Sequence, residues 1–144
     1  MTTVRLSCKV EPTDPSVPLK FQLRLDDQTL FEIAHVDQPS TVEIHIPDDE
    51  GSHCLSFCMS GKTADHTKLD SSNNIVQDAC IKISNITFDD IDIVALLPNL
   101  AVYHHDFNGS GEPVEHKFYE VMGCNGSVDL EFSTPIYLWL LEQM

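Results

Sequence analysis

The chain has 144 residues, 42% hydrophobic and 22% charged, the balance of a soluble globular protein, and residues 1–144 are expected to form a single domain. Twenty-three acidic residues against eight basic ones give a formal net charge of -15. A field of that sign repels phosphate backbones and anionic lipid, which argues against nucleic-acid and membrane partners. The five cysteines (Cys8, Cys54, Cys58, Cys80 and Cys124) include no CxxC or CxxH pair, so neither a zinc site nor a disulfide framework is expected.

From the first residues the apolar positions alternate, and MTTVRLSCKV shows neither a basic n-region nor an apolar h-region, so no secretory signal is expected. Val4, Leu6, Cys8 and Val10 open a period-two pattern. It returns at Leu19, Phe21, Leu23 and Leu25, then at Val42, Ile44 and Ile46, at Leu55, Phe57 and Met59, and at Val128, Leu130 and Phe132. Side chains two apart lie on one face of a strand, so each run predicts a strand with one buried face. Four further runs are rich in β-branched and aromatic residues and also predict strands: Leu30 to Val36, Cys80 to Ser84, Ile86 to Ile93 and Ile136 to Leu141. The total is about nine strands, the number of an all-β, two-sheet antiparallel β-sandwich of jelly-roll type.

Turn residues separate these runs. Asn125-Gly126 predicts a type I′ hairpin between Tyr119 to Gly123 and Ser127 to Phe132. In DIDIVALL a turn or two of helix is the most that β-branching allows before Pro98. The irregular stretches Gly61 to Asp78 and Tyr103 to Lys117 are long enough to carry function.

Three groups of residues bear on chemistry. Asp65, Asp70 and Asp78, with neighbouring Asn and Ser, supply the oxygens that a hard cation such as Ca²⁺ needs, without the spacing of an EF-hand. His104, His105 and Asp106 could bind a metal or move protons, but adjacent strand residues point to opposite faces. Tyr137 and Trp139 in the last predicted strand, with Phe107, Phe118 and Tyr119, offer either a protein contact or a platform for a sugar ring. There is no GxSxG, no GxGxxG and no phosphate loop, so an enzyme is not expected. A hydrolase would have to use dispersed carboxylates such as Asp106 and Glu115.

Two stretches, GKTADHTKLDSSNNIVQDACIKISNITFDDIDI and YHHDFNGSGEPVEHKFYEVMGCNGSVDLEFSTPIYLWLLE, resemble small virion-associated proteins of large tailed phages, especially marine myoviruses of cyanobacteria. More loosely, the first stretch resembles the calcium-dependent xylan-binding modules. The phage resemblance implies a non-enzymatic structural or interaction protein of the virion: a capsid decoration, neck or tail accessory. Such a protein is made in the host cytoplasm, needs no cofactor, and is oligomeric or lattice-bound against other virion proteins. The xylan-binding resemblance implies the alternative, a Ca²⁺-dependent carbohydrate-binding module that recognises host polysaccharide.

Overall fold

A computed structural model describes residues 3–62, 67–69, 71–72, 75–106 and 111–143. The period-two runs all become strands with their apolar face inward. β1 (Thr3–Pro12), β4 (Ser40–Pro47), β8 (Ile81–Phe88), β9 (Ile91–Asp92) and β12 (Val121–Met122) form one antiparallel sheet in the order β12-β8-β1-β4, with β9 pairing β8. The second sheet has the order β11-β10-β13-β5-β2-β3. It is built from β2 (Lys20–Leu25), β3 (Gln28–Ile33), β5 (Ser52–Ser60), β10 (Ala101–His105), β11 (Val114–Lys117) and β13 (Gly126–Ser133). The short strands β6 (Thr67–Leu69) and β7 (Ile75–Asp78) pair with each other. Among the described residues the two main sheets therefore hold eleven strands against about nine expected: the runs Cys80 to Ser84 and Ile86 to Ile93 share one long strand, β8, with β9 at their end, while β10 and β11 come from a stretch expected to be irregular.

One continuous core lies between the two sheets. Leu6, Cys8, Ile44, Ile83 and Phe88 on one side meet Phe21, Leu23, Phe57, Val128 and Leu130 on the other. Removing such an alternating apolar face from water is the main driving force for a β-sandwich. Burial raises the Cys8 thiol pKa to about 12, so it behaves as a small apolar side chain.

Four details differ from the sequence reading. Residues 136–143 form a helix, α2 (Ile136–Gln143), not a strand. Its buried residues, Ile136, Trp139 and Leu140, follow the three-and-four spacing of a helix face, and its leucines are good helix formers. The peptide N–H groups of Leu138 and Trp139 close the first turn on the Pro135 carbonyl. Second, Asn125-Gly126 makes no hairpin: β12 pairs with β8 in one sheet and β13 with β10 and β5 in the other, so the chain crosses between sheets there. Third, Tyr103 to Lys117 is not irregular throughout, since β10 and β11 pair from Val102↔Lys117 to His105↔Val114. Last, Pro98 does not end the helical turn expected in DIDIVALL: a 3-10 turn, Val94–Leu96, is present and runs on into a short α-helix through Pro98. Pro98 stands in the first turn of α1 (Leu97–Leu100), where its missing N–H costs nothing.

Two Asp-Asp pairs form the tight turns. Asp26 and Asp27 (φ 49° and 68°) join β2 to β3, and Asp89 and Asp90 (φ 47° and 68°) join β8 to β9. Both pairs have the two positive φ angles of a type I′ turn. In each, the first aspartate extends a ladder. Asp26 N–H donates to the Cys54 carbonyl and its carboxylate accepts from Cys54 N–H (2.9 and 2.8 Å); Asp89 does the same with Arg5 (2.8 and 2.8 Å). Glycine would tolerate the φ angle but could not supply the acceptor. A left-handed Asn85 (φ 52°) lies where the β1–β8 register slips between Ser7 and Lys9, the mark of a β-bulge.

Candidate functional site

Alternation in β2, β5, β10 and β13 buries every second residue along much of each strand and turns the others outward. Along β13, Val128, Leu130 and Phe132 face the core, so Ser127, Asp129 and Glu131 face out. Cross-strand register then fixes their neighbours. Asp129 stands opposite Val102 of β10 and Ser56 of β5, Glu131 opposite Cys54, and His104 between Ser127 of β13 and Glu115 of β11. A polar row from four strands thus meets on one face, although its members come from residues 54 to 131.

His104 sits at the centre of this row. Its Nδ1 is 3.5 Å from a Glu115 carboxylate oxygen and its Nε2 is 3.3 Å from Asp129, which also accepts a 2.7 Å hydrogen bond from the Ser56 hydroxyl. His105 points the other way, as neighbouring residues in a strand must. Its ring lies 4.8 Å from that of Tyr103 and is stacked 5.0 Å from that of His116, at an interplanar angle of 25°. Burial, then the neighbouring His116, holds the His105 pKa below its usual value, so it favours the neutral imidazole.

Around these groups a cleft of about 630 Å³ opens between His104, His105, Asp106, Val114, Glu115 and Gly126. A second hollow of about 290 Å³ shares His104 and Glu115 with it and adds Val102, Asp129, Glu131 and Cys54. A third, of about 460 Å³, shares Cys54 and Glu131 and reaches Asp26, His53 and Trp139. Adjacent through these shared lining residues, the three hollows form a broken groove beside β11, β10, β13 and β5.

Side-chain hydrogen bonds tie together the backbone beside the first cleft. Asn125 is turned inward, its carboxamide accepting from Lys62 N–H at 2.9 Å and donating to the Lys62 carbonyl at 2.8 Å, as a strand backbone would. The Lys62 ammonium donates to the Gly123 carbonyl, and the Tyr103 hydroxyl donates to the Cys124 carbonyl while accepting from Cys124 N–H at 2.8 Å. A Cβ on Gly126 would come within 2.1 Å of the His104 carbonyl oxygen, so only glycine lets β13 approach β10 here.

The other residues singled out from sequence fall elsewhere. Phe118 (0% exposed) and Trp139 (6%) are core residues, Trp139 showing only an edge to the third hollow, a correction that follows from the helical turn of α2 and from the packing of Phe118 against Tyr103. Tyr119 and Tyr137 are exposed. Phe107, Asp65 and Asp70 lie outside the described residues, as does the side chain of Asp78. Among the described residues no three His, Cys, Asp or Glu side chains are grouped to hold a metal ion. His104 fits that finding, because its two nitrogens face different carboxylates. Sequence reasoning missed Asp129 and Glu131; their alternation with Val128, Leu130 and Phe132 marks the outward face but not which strands lie beside it.

No family model matches the chain, and no curated protein does. Two solved structures share its general shape. One is the selenomethionine form of vCBM60, described under the circular permutation linking two families of calcium-dependent carbohydrate-binding modules; it is 11% identical, with a TM-score of 0.49 over 88% of this chain and 89% of that one. The other is vCBM60 in complex with galactobiose, also 11% identical, with a TM-score of 0.46 over 88% and 96%. At these values neither likeness carries an argument about ligands. The comparisons give the virion assignment no support.

Proposed function

We propose that the protein is a non-catalytic binding module that holds a neutral polysaccharide segment in the broken groove beside β11, β10, β13 and β5. The observation that carries this reading is the convergence of His104, Glu115 and Asp129 on adjacent strands beside open hollows that share their lining. Carboxylates accept hydrogen bonds in pairs and imidazoles both donate and accept, which matches the vicinal hydroxyls of a sugar. Such a lining, on a chain of net charge -15, disfavours phosphate, sulfate and uronate ligands. Asp106 and Glu115 share the cleft, as a hydrolase would require. The Glu115 side chain, however, is 72% exposed, unlike the desolvated carboxyl that donates a proton in glycoside cleavage.

The test is retention on a panel of neutral polysaccharides, read by affinity electrophoresis. The wild type is retained by at least one, and His104→Ala with Glu115→Gln loses retention by about tenfold or more while its melting temperature is kept. No retention across the panel, or an unaffected double variant, overturns the reading. Release of reducing sugar that Glu115→Gln abolishes would replace it with hydrolysis. A Ca²⁺ requirement belongs to the same proposal and is checked separately: a native-state ligand raises the melting temperature as its concentration passes its Kd, and a melting curve unchanged by Ca²⁺ or chelator removes that part.

A further inference from the structure

The C-terminal helix is apolar on both sides. Ile136, Trp139 and Leu140 enter the core, yet Tyr137, Leu138 and Leu141 are 51%, 59% and 69% exposed. At 100° per residue these three cover one arc of about 100° on the opposite side of α2. An exposed Leu is ordinary by itself; three large apolar residues side by side on one turn and a half of helix form a patch.

Acidic groups border this patch. Asp48 accepts a 3.0 Å bond from Ile136 N–H at the start of α2, and Asp89 accepts a 3.0 Å bond from the Tyr137 hydroxyl. Asp90, in the same turn as Asp89, is paired with Arg5, and Glu142 follows Leu141 on the exposed side. The rim's field is felt at the patch. The hydrogen bond to Asp89 and the charges of Asp89, Asp48 and Asp90 raise the Tyr137 phenol pKa. A second copy of the chain would set these carboxylates against their equivalents, and an anionic membrane would meet the same repulsion.

We propose that the outer face of α2 is a docking surface for a cationic amphipathic helix of a partner protein. An apolar stripe on that helix packs along Tyr137, Leu138 and Leu141 as one helix ridge lies in the groove of another, and its flanking Lys and Arg meet Asp48, Asp89, Asp90 and Glu142. The surface is on the side of α2 opposite Trp139, the residue by which the third hollow reaches this helix, and it lies far from the first cleft. The first cleft lies at Gly126 and α2 follows Ser133, the two ends of β13, about 23 Å apart at ~3.3 Å per residue.

The probe is a capped peptide of about 18 residues with leucine on one helical face and lysine on the other, titrated by calorimetry against the intact chain. Binding that weakens as salt rises, falls about tenfold or more in Leu138→Ser with Leu141→Ser, and is unchanged in Tyr119→Ser, an exposed aromatic elsewhere, is the expected result. The melting temperature of each variant is measured alongside, since both leucines lie outside the core. Equal binding of a peptide with glutamate in place of lysine overturns the proposal. So do binding that ignores the leucine substitutions, dimerisation of the chain through α2, and capture by anionic vesicles in place of the peptide.

Discussion

His53 shows how one residue joins three parts of the chain. Its Nδ1 lies 2.7 Å from Asp26 in the β2–β3 turn, and its Nε2 lies 2.8 Å from Asp49, which also accepts from the Thr134 hydroxyl just ahead of α2. Burial lowers the His53 pKa, but hydrogen bonds to the two carboxylates and their charges outweigh it, so the net shift is upward. Burial likewise raises Asp26, and the His53 bond, the Cys54 N–H bond and the imidazolium charge outweigh it; Asp49 is lowered chiefly by the His53 bond. A group whose pKa rises on folding binds its proton more tightly in the native state. The His53 contribution is thus fully present below its ordinary pKa of about 6.5 and is lost as pH climbs through the raised value. The contributions of the two aspartates are present above their ordinary pKa of about 4 and fade as pH falls through the lowered values. Melting temperature measured between pH 5 and 9 should therefore fall, as pH rises above about 6.5, by more in the wild type than in His53→Phe. Parallel curves would show that the clamp carries no charge.

At the scale of elements, Asx side chains extend ladders that the backbone leaves unfinished: Asp26 beside Cys54, Asp89 beside Arg5, and Asn125 beside Lys62. The Asn125 case supports the site most directly, because it pins the crossing between sheets beneath the first cleft. Asn125→Ala leaves Lys62 N–H and carbonyl without those partners in a half-buried place, and its expected cost is about 1–3 kcal/mol in urea unfolding. Asn125→Asp keeps the acceptor for Lys62 N–H and gives up the donor, so it should fall between wild type and alanine. Hydrogen exchange of the Lys62 amide distinguishes the two: faster in Asn125→Ala, protected in Asn125→Asp. The same inward turn explains why an Asn-Gly pair that reads as a hairpin does not form one. The amide is used across 63 residues of sequence, and Gly126 is required by the close approach of β13 to the His104 carbonyl.

For the whole molecule, the decisive packing lies where α2 closes the end of the sandwich. Phe88 of one sheet and Phe132 of the other have ring centroids 5.3 Å apart, and Trp139 lies edge-on to both at 6.3 and 6.1 Å. Phe88→Ala opens a cavity at the junction and is expected to cost about 3–5 kcal/mol, with the emission of Trp139, the single tryptophan, shifting to the red as water reaches it. An unshifted emission with full stability would mean that α2 does not depend on this junction. Much of this architecture was legible beforehand, since Leu6, Phe21, Ile44, Phe57 and Leu130 each lie in an alternating run and each is buried. The helical character of residues 136–143 was legible in principle, in Ser-Thr-Pro ahead of a leucine-rich run with three-and-four spacing, but a short apolar run with aromatics satisfies a strand equally well. By itself the sequence determined the class of fold, the inward faces of its main strands and the acidity of its surface, because a period of two and a count of charges are local properties. Only the tertiary structure decided that β12 leaves β13 for β8, that Asn125 bonds Lys62, and that His104 lies between Glu115 and Asp129. Those outcomes depend on which distant strand lies alongside, and strand pairing is set by the packing of both sheets together.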